Sequence, residues 1–188
     1  MRDRTATKDL IERTALKLFA EKGVKETTIR DIAAVAGIAE GTLYRHYDSK
    51  DELSSRLFIS NYIALGAELQ RIEEKENTSQ DKIEAMIRYF CVVYEKDSDM
   101  FNYLFLTRHN HIQKLTPRLP NPYLVFRRVI RLGMSRGEIP KQDADVAASM
   151  VMGVVLQVID SRLLSGRIQR SISGLADQIA RGAWKVLQ

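Results

Sequence analysis

Apolar residues recur along this chain at steps of three and four, the period of an amphipathic α-helix. No segment sustains the alternation of a half-buried strand. Ile11, Ala15, Leu18 and Phe19 lay a stripe along a first helix, and Gly23 follows as its C-cap. Thr27 or Thr28 caps a short second helix that runs through Val35. Ala36-Gly37-Ile38 reads as a turn, because Gly37 enters positive φ without steric cost, and a third helix follows from about Glu40 to Tyr47. Ser49-Lys50-Asp51-Glu52 has the form of a capping box, with Glu52 reaching back to the Ser49 N–H. The helix it opens carries Leu53, Leu57, Phe58, Leu65 and Leu69 and reaches Arg71 or beyond. The polar stretch Glu73 to Asp81 predicts a linker. Later helices are predicted near 80–96, 99–111, 121–136, 144–165 and 171–187. Pro117, Pro120 and Pro122 keep 116–122 irregular, and Gly137 and Pro140 break the chain again. The expected fold is all-α.

Composition adds exclusions. A chain of 188 residues, 45% hydrophobic and 28% charged, is an ordinary globular protein of one or two domains. Its single cysteine, Cys91, can form no intramolecular disulfide and reads as a small buried hydrophobe. The polar residues from Met1 to Asp9, with no apolar run after them, predict no secretory signal. The apolar run Val146 to Ile159 falls short of the about 20 residues that cross a bilayer, so no membrane partner and a cytoplasmic location are expected. No GxSxG, HExxH, Walker loop or GxGxxG is present, so no cofactor and no catalytic residue is assigned. His109 and His111 are two residues apart and would point about 200° apart on a helix, which disfavours a shared metal. The formal charge of +5 suggests an anionic partner, but its distribution changes the picture. Residues 1–56 hold eleven Lys/Arg against ten Asp/Glu, a net +1. Residues 101–140 hold seven Lys/Arg against Glu138 alone, a net +6, with Arg127, Arg128 and Arg131 expected on one solvated helix face. An acidic ligand or partner is one reading of that excess.

The segment 27–53, TTIRDIAAVAGIAEGTLYRHYDSKDEL, has the physical form of a helix–turn–helix. Ile32, Ala33, Ala36, Ile38 and Leu43 are its expected core, and small Ala33 allows close helix approach. Glycine at 41 opens the third helix to a phosphate, and Thr42 offers a hydroxyl and a methyl to phosphate or thymine. With ALKLFAEKG upstream, these residues resemble the TetR family of transcriptional regulators over 5–58. The resemblance implies an N-terminal three-helix DNA-binding head (1–49) and a helical ligand-binding and dimerisation body (50–188). It also implies a homodimer on a pseudo-palindromic double-stranded operator, acting mostly as a repressor released by a small molecule. It places Thr28, Tyr44, His46 and Lys50 at phosphates and Arg45 at the variable base-reading position. There an arginine can bond guanine bidentately. Thr28 serves equally well as an N-cap. Glu40 departs from the pattern by bringing a negative charge to the DNA. It would accept from cytosine N4 or select against wrong sites. Tyr47 stands where phenylalanine is commoner, a mild change if its hydroxyl reaches water.

In the body, Ile172, Leu175, Ile179, Ala183 and Val186 form a coiled-coil-like seam on the last helix. The preceding helix is apolar nearly all round, so Met150, Val154 and Val158 are expected to join that seam at a dimer interface. Phe90, Tyr94, Tyr103, Leu106, Met134 and Met150 are candidate walls of a ligand pocket, and Arg108, Asn110 and Gln157 its candidate polar groups. The ligand itself is unidentified. Two rival readings remain: a ligand-dependent activator, and a helical small-molecule-binding protein or enzyme that carries a helix–turn–helix.

Overall fold

The computed structural model describes residues 4–106, 111, 119–166 and 168–188, with Leu106, Leu164 and Ser165 described by backbone alone. The described residues form nine α-helices and one 3₁₀ turn, with no strand among them. They group into two compact units. The first holds described residues of Met1–Tyr62 and Asp97–Pro117, the second those of Ile63–Lys96 and Arg118–Gln188.

The first unit begins with α1 (Arg4–Glu26), which buries Thr7, Ile11, Thr14, Ala15, Leu18 and Phe19. Gly23 interrupts it at φ 83°, so the expected C-cap is a break inside the element, after which the chain continues to Glu26. α2 (Ile29–Ala36) and α3 (Glu40–Tyr44) follow. The third helix is shorter than expected, and Arg45 caps it. α4 (Lys50–Lys75) contributes to this unit through Tyr62. α6 (Ser98–Leu106) returns to pack on α1, where Tyr103 stacks on Phe19 at 5.6 Å between ring centroids. The Tyr103 hydroxyl donates to the Ser54 carbonyl at 2.6 Å, and His111 Nε2 lies 2.9 Å from the Ser54 hydroxyl.

The second unit takes α4 from Ile63 onward, α5 (Ser79–Lys96), α7 (Pro122–Ser135), α8 (Ala144–Ser165), the 3₁₀ turn Ser173–Leu175 and α9 (Ala176–Lys185). α5 is its centre and packs on α7, α8 and α9. Phe90 of α5 meets Phe126 of α7 edge-on at 5.7 Å, an arrangement that suits the ring quadrupoles. Cys91 is buried among these helices, and burial pushes its thiol up to about 11. It is packing material there, as expected.

Several expectations change in this unit. The predicted linker Glu73–Asp81 is mostly helix, because α4 reaches Lys75 and α5 begins at Ser79. Glu73 is buried and accepts from Arg128 Nε at 2.9 Å, while the Glu73 carbonyl takes the Lys82 ammonium at 2.6 Å. Glu73 and Ser79 are the buried polar residues of that stretch, and most of the others stay exposed on helix or turn. The expected arginine face is exposed at Arg128 and Arg131 and half-buried at Arg127, and it is paired as well as solvated: Arg128 meets Glu73, and Arg127 lies 2.8 Å from Asp145. By length and composition alone, Ala144–Leu163, 20 residues at mean hydropathy 1.5, is long and apolar enough to cross a bilayer, contrary to the reading of its shorter apolar run. Its Ala147, Ala148, Val151, Val155 and Ile159 are buried in a unit where α8 packs on α5, α7 and α9, while Val146, Met150 and Leu163 are exposed.

Candidate nucleic-acid interface

The first unit builds its outward face from the α2–α3 turn. Thr28 caps α2 by accepting from the Asp31 N–H at 3.1 Å, and Asp31 Oδ2 accepts from the Thr28 N–H at 2.9 Å, a reciprocal capping box. The sequence placed a cap at 27 or 28 but missed Asp31 as its second half. Gly37 sits at φ 63°, ψ 39°, and the N–H of Ile38 reaches back to the Ala33 carbonyl at 3.0 Å. That left-handed turn ends α2 and re-aims the chain into α3. Ile32, Ala33, Ala36 and Leu43 are buried beneath it, while Ile38 is half-buried.

Two hydrogen bonds and one ion pair hold Asp31 ionised. The backbone and side chain of Thr28 and the Lys22 ammonium, 2.9 Å away, bring its carboxyl from the usual 3.8 down to about 2. A group lowered in the folded state stabilises it above the unfolded value, and that contribution fades as pH falls through the folded value. Denaturation of Asp31→Asn between pH 5 and pH 2 is expected to show a flatter stability profile than the parent between about 4 and about 2. Parallel profiles would count against the capping role.

Burying Leu43 turns the rest of α3 outward. Glu40, Gly41, Tyr44 and Arg45 are exposed, and Thr42 and His46 are half-buried. Tyr44 keeps 53% of its surface open. Arg45 donates to the Thr42 hydroxyl at 2.9 Å, so the two expected contact residues already form a pair. A groove of about 770 Å³ runs beside them, lined by Arg4, Thr7, Gly37, Ile38, Ala39, Thr42, Arg45 and His46. A second notch of about 410 Å³ is lined by Arg4, Thr5, Lys8, Arg45, His46 and Arg56. Arg4, Lys8 and Arg56 were not singled out in the sequence. Arg4 and Lys8 sit a turn apart on α1 and Arg56 on α4, and no local period joins them to 45 and 46.

Three further residues differ from expectation. Lys50 donates to the Val24 carbonyl at 2.7 Å and the Lys25 carbonyl at 3.2 Å, so it already satisfies the end of α1. The Tyr47 hydroxyl does not reach water: it is buried and donates to Glu12 Oε1 at 2.5 Å. Desolvation and the neighbouring Glu12 carboxylate both push its phenol well above the ordinary value. The capping box at α4 keeps the Ser49 hydroxyl on the Glu52 N–H at 3.1 Å, but Glu52 takes the Asp48 N–H at 2.6 Å, one residue earlier than expected.

The ligand candidates fall in both units. Phe90 and Tyr94 are packed in the core of the second unit. Tyr103 is buried in the first, holding Ser54. Met134 is half-buried with its sulfur 3.4 Å from the Gln142 N–H, and Met150 and Gln157 are exposed. Arg108 and Asn110 lie outside the described residues, and the side chain of Leu106 is not described.

The seam residues divide as well. Ile172 and Ala183 are fully buried within their own unit, so they belong to its core and offer nothing to a second chain. The reason is α5, against which α9 packs its small face. Ile179 is nearly buried, while Val154, Val158, Leu175 and Val186 are half-buried and Met150 is exposed. Val154, Val158, Leu175, Ile179 and Gly182 line a surface groove of about 500 Å³.

Residues 11–57 match the family described as bacterial regulatory proteins, tetR family. The HTH-type transcriptional repressor KstR2 of Rhodococcus jostii (strain RHA1) is 37% identical over 73 residues, which cover 39% of this chain and 36% of that protein. The matched stretch therefore spans about a third of that relative's own length. The fatty acid degradation regulator FadR from Bacillus halodurans has the same fold, with a TM-score of 0.78 at 15% identity over 97% of this chain and 96% of that one. FadR from Bacillus subtilis, solved in complex with stearoyl-CoA, aligns with a TM-score of 0.70 at 17% identity over 93% of this chain and 96% of that one.

Proposed function

We propose that the chain is a member of the tetR family of bacterial regulatory proteins, matched over residues 11–57, and acts as a homodimeric, cytoplasmic transcriptional repressor released from a pseudo-palindromic operator by a small molecule. Residues 1–49 form the DNA-binding head and 50–188 the ligand-binding and dimerisation body. The observation that carries this reading is the outward face of α3. The left-handed turn at Gly37 presents Thr42, Tyr44 and Arg45 beside an open groove, with Leu43 buried behind them. An outward helix of that kind enters the major groove, where base edges carry a distinguishable donor and acceptor pattern.

Arg45 reads a base in this scheme, Thr42 aligns it, and Thr28, Gly41, Tyr44 and His46 hold phosphates. Glu40 screens against sites without a donor at its position. Lys50 acts indirectly, by fixing the end of α1. A pool of randomised duplexes tests the scheme. The parent chain is expected to enrich an inverted repeat with half-sites about 34 Å apart. Arg45→Ala is expected to lose preference at one base pair per half-site, worth about 1–3 kcal/mol, while other positions hold. An unchanged preference profile would remove Arg45 from base reading.

The small molecule must bind the DNA-incompetent state more tightly than the competent one, since equal affinity shifts nothing. α4 carries residues of both units and is the natural element to transmit that difference. Similarity to the stearoyl-CoA complex makes a long-chain fatty-acyl thioester the first probe in the same assay, with release of the enriched duplex as the expected response.

A further inference from the structure

The notch beside α3 gathers charge from three parts of the chain. Arg4 and Lys8 come from one face of α1, Arg45 and His46 from the end of the recognition helix, and Arg56 from α4. We propose that this notch is a second DNA contact. It would hold the sugar–phosphate backbone of the strand that flanks the bases read by α3. Arg4, Lys8 and Arg56 would be its phosphate ligands. The inference rests on the DNA-binding reading and extends the interface to residues outside the helix–turn–helix.

Charge complementarity selects the occupant. Among the described residues, two of the lining cations have carboxylate partners. Glu12 accepts from the Tyr47 hydroxyl at 2.5 Å and pairs with Lys8 at 3.6 Å. Glu52 accepts from the Asp48 N–H at 2.6 Å and pairs with Arg56 at 2.7 Å. The lining itself holds Arg4, Lys8, Arg45 and Arg56 and no carboxylate, and Arg4 is exposed at the first turn of α1. Arg56 is held in place by its pair with Glu52 and by the Tyr47 ring, whose centroid lies 5.9 Å from its guanidinium carbon. A positioned guanidinium suits a phosphate, which accepts two parallel N–H bonds. Continuity selects the same occupant, because Arg45 and His46 line both the notch and the groove of α3. A backbone that passes α3 would run on into the notch. The position of Lys50 adds a third reason. The cation expected to hold phosphate from α4 is turned to the carbonyls of Val24 and Lys25, and Arg56 on the same helix faces the notch instead.

The test uses the full chain and the duplex it enriches from a random pool. Arg4→Gln, Lys8→Gln and Arg56→Gln are combined, and Arg4→Gln alone serves as a variant at an exposed position. Thermal melting checks that each is folded. The slope of log affinity against log salt counts phosphates neutralised, at about 0.9 per contact on duplex DNA. The combined variant is expected to lose roughly 1–3 units of slope relative to the parent. It should weaken enriched and scrambled duplexes by the same factor and keep the parent's base preference. Arg4→Gln alone is expected to lose a smaller part of the slope. An unchanged slope in the combined variant, with a parent that binds DNA, overturns this proposal and leaves the family reading standing. A changed base preference also overturns it, because the residues would then read bases. Saturable binding of inorganic phosphate by the notch, abolished in the combined variant while the slope stays unchanged, would assign the site to a free anion. A parent that enriches no duplex overturns both readings.

Discussion

Gly66→Ala is expected to lower the melting temperature of the protein by roughly 2–12 °C, the equivalent of about 1–3 kcal/mol of overpacking in a chain of this size. Gly66 lies in α4, and a Cβ there would stand 2.6 Å from the Asn121 Cα and 2.6 Å from the Pro120 carbonyl carbon. Both neighbours are backbone, so no side-chain rotation relieves the clash. The backbone cannot easily retreat. Asn121 caps α7 by accepting from the Leu124 N–H at 3.0 Å, and Pro122 starts that helix with its fixed φ. Room for the methyl would come only from displacing the start of α7 or from bending α4. Gly153→Ala in α8 is the matched control. Nothing lies within 4 Å of its added carbon, and a helical alanine is favoured over glycine by about 0.5–1 kcal/mol. Equal melting temperatures for Gly66→Ala and the parent would show that α4 and the 120–121 segment separate more readily than their contact implies.

Val158→Asp is expected to convert the proposed dimer to a folded monomer and to reduce affinity for a palindromic operator by about 100-fold or more. That loss is the share of avidity that two linked half-site contacts supply. Val158 is half-buried and shares its groove with Val154, Leu175, Ile179 and Gly182. The apolar side chains of this groove, bordered by Gln169, Arg170 and Gln178, are what a second copy would cover, and an aspartate at 158 would carry a charge into that contact at a desolvation cost. Because Val158 is not part of the buried core of its own unit, the protomer should keep its helical content. Sedimentation at micromolar concentration and binding to half-site and full-site duplexes read the two effects separately. Equal affinity for both duplexes in the parent, or a dimer that survives the substitution, would remove this face from the interface.

The legibility of the two sites differs for a physical reason. The helix–turn–helix depends on neighbours close in sequence: Thr28 caps three residues ahead, Gly37 turns the chain, and Leu43 is buried one position from Tyr44. Such features can be seen in a window of 27 residues. The capping partner of Glu52 lay one residue from its expected place, and Asp31 went unseen, since several acceptors compete for one N–H within a turn. The body candidates depend on which face of each helix meets which other helix. Phe90, Tyr103 and Met150 look alike by residue type and period, yet one is in the core of the second unit, one holds Ser54 in the first, and one faces solvent.

The amino-acid order alone determined the all-helical class, most helix boundaries, the turn at Gly37 and the outward character of α3. Helical periodicity, capping and the steric freedom of glycine act over a few residues and need no tertiary context. Only the folded structure decided the fate of the charges and of the apolar seam. It paired Glu73 with Arg128, 55 residues away, and turned Lys50 onto the end of α1. It buried Ile172 and Ala183 in their own unit and brought Arg4, Lys8 and Arg56 around one notch. Those outcomes depend on Coulomb and packing energies between atoms made neighbours by the fold. Packing energies vanish within a few ångströms and screened Coulomb energies within about 10 Å at 0.1 M salt, whatever the separation along the chain.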